Sequence, residues 1–156
     1  MKTSVKKGFS FGLASGIITT LGLIVGLNSS THSKTIIITT IILIAIADSF
    51  SDAFGIHISE ESQKKVSHKK AWESTLSTFI FKLIFAFTFV IPLALLSLSI
   101  AIIASIFWGL FLISFFSYHI AKQQNKKPFK VISEHLFISI FVIIITHLVG
   151  TLISTF

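Results

Sequence analysis

Long apolar stretches separated by short polar connections run along the whole chain. Roughly 20 apolar residues are enough to cross a bilayer as a helix. Five stretches reach that length, at about 8–27, 35–58, 76–96, 99–120 and 132–153. None of them alternates with the two-residue period of a barrel strand. The pattern predicts an all-α membrane protein with five transmembrane helices, which form a single transmembrane domain over residues 1–156.

Composition supports a membrane protein and removes several function classes. Hydrophobic residues make up 53% of the chain and charged residues 12%, whereas soluble domains carry about 25% charged residues. The chain has no cysteine, which excludes disulfides, zinc–thiolate sites and thiol catalysis. It also has no glycine-rich phosphate loop, no zinc-protease motif and no nucleophile triad. We therefore expect neither an enzyme nor a tightly bound cofactor.

The lysines predict how the helices are oriented. Eleven of the thirteen fall on one side of a five-helix bundle, at Lys2, Lys6, Lys7, Lys64, Lys65, Lys69, Lys70, Lys122, Lys126, Lys127 and Lys130. Only Lys34 falls in a connection on the other side. The positive-inside rule then places the N-terminus in the cytosol and the C-terminus outside. The net charge of +7 is explained by topology and by contact with anionic lipid, so we expect no nucleic-acid partner.

Two aspartates inside the second apolar segment are the main candidates for function. Asp48 and Asp52 are four residues apart and project from one helix face. A charge inside a bilayer usually faces a partner or a water-filled path, and carboxylates suit divalent cations. Candidates to line the same path are Ser15, Thr19 and Ser51. The alternative is a structural ion pair, because Lys82 in the third segment lies at a depth between the two aspartates.

A second group of candidate metal ligands lies at the inner end of the same segment. His57 and Glu61 are four residues apart and would form a site at the mouth of the path. Glu60 lies eight residues beyond Asp52 and roughly on its face. The group therefore extends the predicted path toward the cytosol.

Small residues are concentrated in the first segment. Gly12 and Gly16 form one G-x-x-x-G pattern, and Gly22 and Gly26 form another. Such residues allow helix backbones to approach closely in lipid. The glycines indicate either packing within one chain or the contact of a homodimer.

Several motifs resemble the vacuolar iron transporter family. The first helix of that family is similar to GLASGIITTLGLIVG at residues 12–26, and the end of its second helix to SDAFGIHISEESQ at residues 51–63. Its last three helices are similar at residues 77–79, Pro92 and residues 146–150. The resemblance implies a homodimer that moves Fe²⁺ or Mn²⁺ out of the cytosol against protons, through a path between two subunits lined by their first and second helices.

The chain departs from this family at positions that bear on the path. Ser15 stands where the family typically has Asp, and Asp52 where it often has Met. Ile56 and His57 stand where it has Glu and commonly Tyr. The connection at residues 59–72 is too short to contain the acidic metal-binding insert of the best-studied members.

Three hypotheses follow for the function. The first is a dimeric divalent-metal transporter, which in a prokaryote would export across the plasma membrane. The second is a membrane scaffold or accessory protein with the same fold. This hypothesis is favoured by the absence of the acidic insert and by Ser15 in place of the family's Asp. The third is a proton-coupled carrier of another cation that uses the same aspartates.

Overall fold

The computed structural model describes residues 2–63 and 66–156, and these contain six α-helices. The helices are α1 (Thr3–Thr31), α2 (Lys34–Glu61), α3 (His68–Thr88), α4 (Val90–Leu95), α5 (Leu98–Gln123) and α6 (Pro128–Ile153). Five spans are long and apolar enough to cross a membrane, and α3 and α4 together form the third. These observations confirm the predicted all-α fold, and the chain is an integral membrane protein.

The third span is interrupted at Phe89, between α3 and α4. Pro92 has no backbone N–H, and a proline ring crowds the carbonyl four residues earlier, which here belongs to Thr88. The Thr88 hydroxyl donates to the Phe85 carbonyl at 2.7 Å and accepts from the Trp108 indole N–H at 3.1 Å. Proline therefore accounts for the break, and a side chain from α5 covers it.

The centre of the bundle is α1, which contacts α2, α3, α5 and α6. Gly12 and Gly16 lie against the backbone of α3, while Gly22 and Gly26 lie against α6. These close approaches are possible because glycine has no side chain. The four glycines are thus accounted for by packing within one chain, and the homodimer stays a prediction.

Lysines cluster at one end of the bundle, which we call the lysine-rich end. It holds the starts of α1, α3 and α6 and the ends of α2 and α5, and there Lys2 contacts Glu73 at 2.6 Å. Lys34 lies at the opposite end, where its ammonium donates to carbonyls at the end of α4 at 2.8 and 3.2 Å. Two lysines used in the topology prediction, Lys64 and Lys65, lie outside the described residues. The side of the membrane that the lysine-rich end faces stays a prediction.

Candidate functional site

Lys82 of α3 lies between the two aspartates of α2 and contacts both. Its Nζ is 2.5 Å from Oδ2 of Asp48 and 2.5 Å from Oδ2 of Asp52. The four-residue spacing puts both carboxylates on the face of α2 that packs against α3. The Lys82 side chain is 2% exposed. The sequence suggested that Lys82 pairs with one aspartate, whereas the structure shows it bridging both.

Ser15 of α1 is the fourth residue of the cluster, beside Asp48 and Asp52 of α2 and Lys82 of α3. Its hydroxyl donates to Oδ2 of Asp52 at 2.6 Å. Asp52 therefore accepts hydrogen bonds from Lys82 and Ser15, while the ion pair with Lys82 is the polar contact of the Asp48 side chain among residues 2–63 and 66–156. Two carboxylates and one ammonium leave this cluster with one formal negative charge in excess when all three groups are ionised.

The carboxylates are more accessible than the ammonium that they share. Asp48 is 30% exposed and Asp52 is 21% exposed. A hollow of about 10 Å³ beside Asp48 and Lys82 is also lined by Thr19, and such a volume holds about one water molecule. Ser51 is exposed on α2. A single chain therefore leaves both carboxylates partly exposed.

We expect the two aspartates to differ in their contribution to stability. Asp52→Asn is predicted to lower the free energy of unfolding by about 1 kcal/mol more than Asp48→Asn, because Asp52 accepts one additional charge-assisted hydrogen bond. Thermal unfolding of both variants in the same detergent measures the difference. Equal losses would show that the negative charge of Asp52 adds nothing to the strength of the bond from Ser15.

His57 lies near the lysine-rich end of α2, with both ring nitrogens engaged. Its Nδ1 is 2.9 Å from the Thr75 hydroxyl, and that hydroxyl donates its own proton to the Ala71 carbonyl at 2.8 Å. Nδ1 therefore carries the proton that bonds to Thr75. Nε2 then points to the Glu61 carboxylate, 3.3 Å away. In the protonated ring Nε2 forms an ion pair with Glu61, whereas in the neutral ring Nε2 carries a lone pair that can ligate a metal while Nδ1 is held by Thr75.

Glu60 belongs to a different contact. Its side chain is 6% exposed, and its Oε1 lies 2.6 Å from Nζ of Lys7 in α1. Glu60, which was predicted to lie roughly on the face of Asp52, therefore pairs with a lysine of α1, while His57 contacts Glu61. Sequence reasoning missed the partners Lys7 and Thr75, because neither forms a recognisable spacing with α2.

The candidate ligands do not form a complete metal site within one chain. Across residues 2–63 and 66–156, no group of three or more His, Asp or Glu side chains comes together in a way that could hold a metal ion. The aspartate pair and the His57–Glu61 pair are each two-residue clusters. A metal bound at either would need further ligands, from water or from a second copy of the chain.

Comparison with known proteins agrees with the resemblance noted in the motifs. The model of the VIT family matches residues 7–71, which run from α1 through α2 to the first turn of α3. The matched stretch contains Ser15, both aspartates and His57, but not Lys82. No curated protein matches the chain. Over this stretch, which is less than half of its length, the chain is similar to the VIT family. This similarity suggests transport of metal ions across a membrane.

Proposed function

We propose that this chain moves a divalent metal ion, Fe²⁺ or Mn²⁺, out of the cytosol as a homodimer that exchanges the metal for protons. The observation that carries the proposal is the pair of partly exposed carboxylates, Asp48 and Asp52, within a membrane-spanning helix. Asp48 lies at the middle of α2, which spans Lys34–Glu61, so it is as far from either end of the helix as the span allows. Charged residues at this depth mark ion pathways more often than they stabilise the fold.

Charge supports the proposal as well. Lys82 neutralises one of the two carboxylates, so one negative charge remains in a low-dielectric environment. An uncompensated charge is costly there, and a cation on the exposed side of the carboxylates would offset that cost. We assign the ligand role to Asp48 and Asp52, with hydroxyls of Ser15 and Thr19 beside them.

The homodimer is proposed because the site in one chain is incomplete. Fe²⁺ and Mn²⁺ take oxygen and nitrogen ligands, and each chain contributes two accessible carboxylates. Two copies that present their α1 and α2 surfaces to each other would place four carboxylates around one path. His57 and Glu61 would form a second position nearer the lysine-rich end, where the ion enters. In a cell without vacuoles, this export would cross the plasma membrane.

Two alternatives remain, each with an observation in its favour. The bridging of both aspartates by Lys82 favours a scaffold or accessory protein in which the ions stabilise the fold. The single excess negative charge favours a proton-coupled carrier of a monovalent cation. Both alternatives keep the fold; the accessory protein moves no ion, and the carrier moves a different one.

Metal uptake into proteoliposomes tests the proposal. We expect wild-type protein to move Fe²⁺ or Mn²⁺ under a pH gradient. The uptake rate of Asp48→Asn/Asp52→Asn should be at least tenfold lower, which corresponds to a barrier higher by about 1.4 kcal/mol or more. Glu134→Gln is the matched control, since Glu134 is an exposed carboxylate 4.0 Å from Lys130.

Three results would count against this function. A folded wild type that moves no divalent metal would favour the accessory protein. Movement of a monovalent cation alone would favour the third hypothesis. Undiminished divalent transport by the double variant would remove Asp48 and Asp52 from the path.

A further inference from the structure

A cavity of about 830 Å³ lies between α1, α5 and α6 at the lysine-rich end. It is separate from the aspartate cluster, which lies among α1, α2 and α3. Its volume is in the range of small-molecule binding sites. The side chains that line it near the helix ends are polar, and those further into the span are mainly apolar: Leu13, Ile18, Ile113, Phe116 and Ile138.

The polar end of this cavity is cationic. Lys6 and Lys7 line it together with Gln123 and Gln124, and the lining includes neither an aspartate nor a glutamate among the residues that the structure describes. Lys7 is neutralised by Glu60. Lys6 instead donates to the neutral amide oxygen of Gln123 at 3.3 Å. The charge of Lys6 is therefore available to an anion.

His135 adds a hydrogen-bond donor deeper in the cavity. Its Nδ1 lies 2.7 Å from the hydroxyl of Ser117, which is 2% exposed. Among the described hydrogen bonds, Ser117 has no other acceptor for its proton, so the hydroxyl donates to Nδ1 and the ring proton is on Nε2. His147 shows the opposite arrangement, because its partner Ser29 donates to the Val25 carbonyl at 2.9 Å. His135 thus offers an N–H, which suits an oxygen acceptor and not a metal ion.

The donors lie at two depths. His135 is seven residues beyond the start of α6 at Pro128, and Ser117 is six residues before the end of α5 at Gln123. At a rise of about 1.5 Å per residue, both lie roughly 10 Å inside the lysine-rich end. From the lysine-rich end inward, the cavity therefore presents the ammonium of Lys6, then the imidazole N–H of His135, and then apolar side chains.

We infer that this cavity binds an anionic glycerophospholipid from the leaflet at the lysine-rich end. The phosphate lies at Lys6, an ester carbonyl accepts from Nε2 of His135, and an acyl chain follows Leu13 and Ile138 into the span. Basic cavities between transmembrane helices are suited to acidic headgroups. A free phosphate would leave the apolar walls uncovered, whereas a phospholipid satisfies both ends. The inference is independent of metal transport.

Native mass spectrometry of the purified full chain tests this site. Protein is supplied with equal amounts of phosphatidylglycerol and phosphatidylcholine that carry the same acyl chains, and the retained lipid is counted. We expect wild type to retain the anionic lipid at least fivefold over the zwitterionic one, and Lys6→Gln to lose about fivefold of that preference. His135→Phe is expected to lower retention of both lipids, since both carry the ester carbonyl.

Lys127→Gln is the matched control, because it removes one exposed lysine from the same end outside the cavity lining. Its preference should equal that of wild type. Equal retention of the two lipids by wild type would overturn the inference, as would equal losses in Lys6→Gln and Lys127→Gln. Binding of glycerol phosphate as tightly as the lipid would show that the apolar walls hold no acyl chain. Thermal unfolding in phosphatidylcholine verifies that each variant is folded.

Discussion

Replacing Lys82 by methionine is expected to make the stability of the protein depend on divalent cations. Methionine keeps the length and the apolar contacts of the side chain but removes the ammonium that lies 2.5 Å from each of two carboxylates. Breaking a buried ion pair on one side costs about 3–5 kcal/mol, because the remaining charge is uncompensated. Here two carboxylates on adjacent turns of α2 would be left facing each other.

A metal ion would then take the place of the ammonium. In metal-free buffer we expect thermal unfolding of Lys82→Met at a clearly lower temperature than wild type. Addition of Mn²⁺ should restore most of that loss in the variant and stabilise wild type by less, because Lys82 already neutralises one of its two carboxylates. Stabilisation by a ligand grows with the ratio of its concentration to its dissociation constant, so a titration gives the affinity of the carboxylate pair.

The triple variant Lys82→Met/Asp48→Asn/Asp52→Asn separates the effect of charge from that of packing. Removing all the charges of a buried cluster is often close to neutral for stability. The triple variant should therefore unfold at a temperature near that of wild type, and Mn²⁺ should not change this temperature. Mn²⁺ stabilising wild type and Lys82→Met equally would show that Lys82 does not compete with a metal. If Lys82→Met unfolds at the same temperature as wild type in metal-free buffer, the bridge does not stabilise the fold.

The positions of these charges along the helices could be predicted from the sequence, but their contacts could not. Counting residues inward from the lysine-rich end places Lys82 between Asp48 and Asp52 in height, and the structure has it there. Whether it meets one aspartate or both depends on the rotation of α3 about its axis. That rotation is set by packing against α1 and α2, which no local spacing in the sequence encodes.

The dependence of contacts on helix packing also explains why the partners of Glu60 and of the α1 glycines could not be predicted. Periodicity put Glu60 roughly on the face of Asp52, yet its side chain turns to Lys7 of α1, a residue 53 positions away in a helix that the spacing in α2 cannot reveal. The G-x-x-x-G patterns predicted close approach of some helix to α1. They did not specify the neighbour, and the structure assigns Gly12 to α3 and Gly26 to α6. Packing partners are a property of the assembled bundle.

Two glycine substitutions of identical chemistry should have opposite effects. A Cβ added at Gly12 would lie 2.5 Å from the carbonyl oxygen of Thr78 and 3.0 Å from the backbone nitrogen of Lys82. Backbone atoms cannot rotate away, so α1 and α3 must separate. Overpacking of this kind costs about 1–3 kcal/mol, and it also disturbs the helix that carries Lys82. Gly12→Ala is therefore expected to destabilise the protein by about 2 kcal/mol.

Gly55 in α2 is the matched position, since a Cβ added there meets no atom within 4 Å. Gly55→Ala should stabilise the helix by up to about 1 kcal/mol, because alanine has the higher helix propensity. Thermal unfolding of both variants in one detergent compares them directly. Equal shifts would contradict the close contact of α1 with α3. A different result would be that Gly55→Ala is less stable than wild type by an amount that grows with protein concentration. That result would place this open surface of α2 against a second copy of the chain, because the stability of an oligomer depends on protein concentration.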